Sequence, residues 1–177
     1  MRKIALSLAL FGGCCVACAQ AQAQAQAQAP APAPVPVPEA MPYNVPYGAP
    51  ITLARAKHVV AAAEAEAMKH GWKLACAIVD PSGDLVYFER IDDTQYASIA
   101  ISQNKARTAA TFRRPTKVFQ DAVNSGQAGP LSFPGMTASE GGLPLIEEGK
   151  LIGAIGCSGA LAAQDGVAAK AGADTVK

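Results

Sequence analysis

"KLACAIVDPSGDLVYFER", Lys73 to Arg90, is the stretch that decides the fold. Two β-favouring runs, "KLACAIVD" and "LVYFER", stand on either side of "PSGD". Pro, Ser and Gly there form a turn, so the runs pair as an antiparallel hairpin. The first run is continuously apolar, which marks it as a central strand.

A second pair of apolar runs, "LPLIEEG" and "KLIGAIGCSG", flanks a Glu-Gly turn and reads as a second hairpin. Helices fill the spaces between. "ITLARAKHVVAAAEAEAMKHG" has Thr52 as N-cap, Gly71 as the residue after its end, and an apolar stripe of Leu53, Ala56, Val59, Val60, Ala63 and Ala67. "TQYASIAISQNKARTAATF" is a second helix, with Thr94 as its candidate cap and a face of Ala and Ser small enough to lie close on a sheet. "PTKVFQDAVNSG" is a short third, begun by Pro115 or Thr116 and stopped by Gly126, and "AAQDGVAAKAGADTV" closes the chain as a fourth. Paired antiparallel strands mixed with helices give an α+β class, one sheet with helices over its faces. There is no alternating βαβ series, which counts against a doubly wound nucleotide-binding fold.

The N-terminus is expected to be a targeting segment. Met1-Arg2-Lys3 and the apolar "IALSLALFGG" form the charged and hydrophobic regions of a secretory signal over residues 1–19, too short for a transmembrane span. "ACA", Ala17 to Ala19, suits a general signal peptidase. "FGGC", ending at Cys14, loosely resembles a lipoprotein box with Phe11 in place of the usual Leu, so a lipid anchor is the lesser expectation. Residues 20–41, rich in Ala/Gln and then Ala/Pro, cannot bury enough apolar surface to offset their ordering entropy and read as a disordered tether. Residues 42–177 are then one domain in the periplasm or outside the cell. Of five cysteines, three fall in the leader. Cys76 and Cys157 read as two buried small hydrophobes in preference to a bridge, because sequence does not show their Cα atoms within reach.

The net charge of +1 favours neither nucleic acid nor a membrane surface. Gly153, Gly156 and Gly159 in "GAIGCSG" lie on a strand and not at a strand-to-helix turn, so close packing explains them better than phosphate binding. Ser158 in "GCSGA" lacks the nucleophile-elbow spacing, and both histidines, His58 and His70, fall on the first helix. No Cys/His cluster has zinc spacing. His58, His70 and Met136 remain as ligands for an iron whose porphyrin supplies the other donors.

"NKARTAATFRRPTK", Asn104 to Lys117, differs in kind: it holds five of the 15 Lys and Arg residues and no Asp or Glu. One reading is a solvated helix end matched to the helix dipole. The other is a carboxylate site, because arginine offers a planar fork and Phe112 with the Phe133-Pro134-Gly135 loop offers an apolar wall. A flat apolar ligand bearing carboxylates fits that pairing; nucleic acid does not, for lack of a basic face and stacking aromatics.

Four blocks in order, "AAAEAEAMKHGWKLACAIVDPSGDLVYFERID", "ASIAISQNKARTAATFRRPTK", "FPGMTASEGGLPLIEEGKLIGAIGCSGA" and the following "AAQD", resemble the GlcG/HbpS-like family of haem-binding or haem-degrading proteins, related to the C-terminal domain of PduO. The resemblance covers residues 51–175 and implies a profilin-like antiparallel sheet flanked by helices, with assembly into dimers up to octamers. Some exported members bind haem; others accompany small-molecule oxidation. Members often carry a His in the first hairpin turn, where this chain has Asp84, so no role transfers there. Arg113, Arg114 and Thr116 match the family's "FRRPT". The leading expectation is an exported haem-binding protein with Arg107, Arg113, Arg114, Thr116 and Phe133 about the cofactor and His58 or Met136 at the iron. The alternative is an enzyme or accessory factor for an organic acid, with Lys105 and Glu140 handling protons. A third is an assembly module whose basic strip meets a neighbouring subunit.

Overall fold

Strand β1 (Ala75–Val79) is buried along its whole length and lies between two antiparallel neighbours, as its unbroken apolar run requires. This computed structural model describes residues 39–176; the expected signal segment and nearly all of the expected tether lie outside that range. Residues from Met41 on form one compact unit.

Both expected hairpins form. β1 pairs with β2 (Leu85–Arg90) across a turn in which the Asp80 carboxylate accepts from the backbone of Ser82 and Asp84, and Gly83 takes a φ of 92°. β3 (Gly142–Glu147) pairs with β4 (Lys150–Ser158) through Glu148 and Gly149, whose φ values of 48° and 74° suit a tight two-residue turn. The resulting sheet has the order β2-β1-β4-β3, antiparallel throughout.

Helix α1 (Leu53–Lys69) and α4 (Ala162–Ala173) cover one face of the sheet, packing on Cys76, Ile78, Ile155 and Cys157. On the other face α2 (Ala97–Thr111) lays Ala106, Ala109 and Ala110 against Ala77, Val79 and Ala154. The small face of α2 does bring it close: a Cβ added at Gly156 would collide with the backbone of Ser102 and Ala106. Gly153 instead admits the Val79 carbonyl and the Ile51 side chain, and Gly159 the Lys73 and Leu74 backbone, so only Gly156 of the three serves the packing of α2.

Three sequence expectations are corrected. Cys76 and Cys157 are directly opposed on β1 and β4, their Cα atoms 4.2 Å apart, and they form a disulfide. They are buried as expected, but the sheet register also brings them within bonding reach. Thr94 does not cap α2; its hydroxyl donates to the carbonyls of Leu74 and Ile91, and the helix begins after Tyr96. Leu53 lies on the exposed side of α1, whereas Glu64 takes a buried position on the inner side.

Thr52 caps α1, accepting from the Arg55 N–H, and α3 (Lys117–Asn124) follows Thr116. α1, α2 and α3 end in the same hydrogen-bonded reversal: Trp72 N donates to Ala67 O, Arg114 N to Ala109 O and Gln127 N to Ala122 O. The left-handed position in that motif is Gly71 in α1 (φ 68°) and Gly126 in α3 (φ 89°). In α2 it is Arg113, with φ 54°.

Candidate functional site

The basic stretch runs along α2 and out of its C-terminal end, so its five cations meet different surroundings. Lys105 points inward from α2 and is 1 % exposed. Passing the glycine pair at the start of β3, its ammonium reaches Asp165 on α4 at 2.8 Å and the Cys157 carbonyl at 3.1 Å. Burial pushes the Asp165 carboxyl up from its ordinary pKa despite the opposing pull of Lys105. This ion pair joins the helical layers on the two faces of the sheet. Lys117 lies on the surface and pairs with Asp121 one turn on. Arg107 holds the first hairpin turn, its Nε 3.1 Å from the Gly83 carbonyl.

Arg107, Arg113 and Arg114 take part in none of the ion pairs among the described residues, and of the three Arg113 and Arg114 are set against aromatic rings. Both are half-buried. Arg113 donates from Nη1 to Val45 O at 3.0 Å, with its guanidinium 5.3 Å from the Tyr47 ring centre. Arg114 donates from Nε to Phe112 O at 3.0 Å and sits 4.5 Å from the Tyr43 ring and 5.7 Å from that of Phe119. Phe112 packs edge-on to Phe119 and stacks with Phe133 at 5.8 Å. Two arginines without a carboxylate partner among the described residues are thus set in a nest of five aromatic rings. An open groove of about 480 Å³ is lined by Tyr47, Pro50, Pro81, Ser82 and Thr111; it shares Tyr47 with the nest, and neither arginine is among its lining residues.

The remaining expected site residues scatter. Phe133, half exposed, belongs to the aromatic nest, and Met136 follows it in the same loop, its N–H on Phe133 O. Thr116 is fully buried, its hydroxyl accepting from Gly142 N at 2.9 Å. His58 is exposed on α1, across the sheet from α2. Glu140 accompanies neither arginine: its N–H donates to the Gln120 side chain and its carboxylate lies against Gly166 of α4. Among the described residues no group of three or more His, Cys, Asp or Glu is placed to hold a metal ion, and no helix is long and apolar enough to cross a membrane. Sequence reasoning missed Asp165, although it lies in the "AAQD" that helped mark the resemblance, and missed Tyr43 and Tyr47, which no local pattern connects to the arginines.

The family described as haem-degrading protein HbpS-like matches residues 51–174, the whole of the sheet and its four helices. The chain belongs to the HbpS-like family. Protein GlcG of Escherichia coli K12 is 42 % identical over 103 residues, 58 % of this chain and 77 % of that one. The chain also superposes on a doubly substituted HbpS of Streptomyces reticuli with a TM-score of 0.67 at 27 % identity, covering 82 % of this chain and 99 % of the other. A crystal structure of a PduOC:haem complex gives a TM-score of 0.67 at 25 % identity over 72 % of this chain and 96 % of that one. The expected α+β class and family are therefore established.

Proposed function

We propose that this protein is an exported, oligomeric haem-binding protein that holds the carboxylates of a flat ligand on Arg113 and Arg114. The observation that carries this reading is the aromatic nest around two arginines that have no carboxylate partner among the described residues. A guanidinium binds a carboxylate through N–H groups in its own plane, while the neighbouring rings bind the apolar body of the same ligand. Haem combines those two features, and relatives described by haem support the choice.

The residues present suit haem in two ways: Arg113 and Arg114 would hold its carboxylates, and a methionine sulfur would be available to its iron. Met136, in the loop that carries Phe133, would offer a thioether to the iron; His58 lies across the sheet, and the Thr116 hydroxyl is committed to Gly142. When bound, the porphyrin iron would supply the redox and ligand-exchange chemistry. The chain itself supplies charge and an apolar wall. A Cys76–Cys157 disulfide supports export, since bridges persist in oxidising compartments. No observation favours the organic-acid enzyme, because Lys105 is closed off against Asp165. The test is a haemin titration followed at the Soret band, in which Arg113→Ala with Arg114→Ala must weaken binding; unaltered affinity would remove the propionate assignment.

A further inference from the structure

We infer that the segment Met41–Pro50 is a working part of the ligand site, with Tyr43 and Tyr47 as positioning residues that aim the two arginines. The inference rests on the haem reading above for its ligand and on independent geometry for its mechanism. The HbpS-like match begins at residue 51, so both tyrosines lie just outside the matched residues.

The segment is fixed to the domain. Beyond the end of β1, Gly48 N donates to Leu151 O at 2.7 Å and Leu151 N to Pro46 O at 2.8 Å, making Tyr47 a parallel partner of the first part of β4. That anchoring carries Tyr47 under Arg113 and leads back to Tyr43 over Arg114. Tyr43 holds a φ of 61°, a conformation that residues other than glycine seldom adopt and that persists where surrounding contacts impose it. Tyr43 is 39 % and Tyr47 52 % exposed, so part of each residue stays open to a ligand.

Stacking and hydrogen bonding use different parts of a guanidinium. Its faces receive aromatic rings, and its five N–H groups lie in the plane. Among the described residues Arg113 commits one N–H group, to Val45, and Arg114 one, to Phe112. The rings beside each guanidinium restrict the rotation of its side chain, while the N–H groups not donated to Val45 or Phe112 remain to receive a carboxylate. Because less side-chain freedom remains to be lost, a carboxylated ligand binds more tightly than it would to unstacked arginines.

The experiment compares the full chain with Tyr43→Ala, Tyr47→Ala and the corresponding Phe variants, titrated with haemin and with haemin dimethyl ester, which lacks free carboxylates. Each Ala variant should lower the preference for haemin over its ester by about three-fold, the effect of one exposed cation–π contact, while each Phe variant retains it. Equal weakening of both ligands, or loss in the Phe variants, would overturn the positioning role. If the unmodified chain binds neither ligand, the haem reading fails. The positioning role is then read from the ¹⁵Nε–H signals of Arg113 and Arg114, whose solvent exchange should rise several-fold in the Ala variants and not in the Phe variants. Unchanged exchange would overturn it.

Discussion

Lys105 Nζ lies 2.8 Å from Asp165 Oδ2, with both side chains almost wholly buried. The most basic stretch of the sequence thereby gives one of its cations to the core. A buried ion pair contributes little compared with a well-packed apolar pair, but losing one partner strands a charge. Lys105→Ala is expected to destabilise the fold by about 3–5 kcal/mol, and Lys105→Met combined with Asp165→Leu by much less. Urea unfolding of the three proteins checks this; equal losses would mean that shape and not charge matters at the pair.

The disulfide closes a loop of large sequence separation, 81 residues, between the two central strands. On the chain-entropy account such a closure restricts the unfolded state by about 4–5 kcal/mol. Cys76→Ala with Cys157→Ala should lower stability by that order without altering the sheet, as measured by denaturant midpoint and circular dichroism.

Glu64 faces inward from α1 with Oε1 buried and without a hydrogen-bond partner among the described residues. Burial, and then the Glu89 carboxylate, raise its pKa above the ordinary glutamate value. Tyr87 donates to that same Glu89, and Lys57 lies over the Tyr87 ring. A raised folded pKa means that the folded state keeps a proton the unfolded state has already released. The resulting loss of stability is absent below the unfolded pKa and grows as pH rises through the window up to the folded one. Glu64→Gln should therefore leave stability nearly unchanged at about pH 3.5 and raise it at pH 7, relative to the parent chain. Thermal unfolding at both values checks the sign.

Arg113 occupies the left-handed position that Gly71 and Gly126 fill at the ends of α1 and α3. A side chain there costs roughly 1 kcal/mol of backbone strain, which glycine would relieve while losing the contacts to Val45 and Tyr47. Arg113→Gly is expected to keep stability within about 1 kcal/mol of the parent. A larger loss in chemical denaturation would show that Arg113 serves the fold and not a ligand.

Much of the architecture was legible because local chemistry dictates it. "PSGD" and Glu148-Gly149 force reversals, Thr52 and Gly71 bound α1, and the unbroken run of β1 marks the sheet centre. What was not legible depends on partners distant in sequence. Cys76 meets Cys157 only through strand register, and Lys105 meets Asp165, 60 residues on, only once α2 and α4 are placed. The site was half visible: the arginines and Phe133 stood out by charge and aromatic content, whereas Thr116 carried the family's motif into a buried brace on Gly142. Tyr43 and Tyr47 fell inside the expected domain, but no local pattern tied them to arginines far along the sequence.

The central claim is that Arg113 and Arg114 hold the carboxylates of haem. The most direct test is a haemin titration of the full chain beside the Arg113→Gly, Arg114→Ala double variant, read by Soret absorbance with unfolding midpoints measured on the same samples. A saturable, stoichiometric Soret shift in the parent that weakens by about ten-fold or more in an equally stable variant is the result expected for two lost charge-assisted contacts. Equal affinity in both proteins, or no saturable shift in the folded parent, would contradict it.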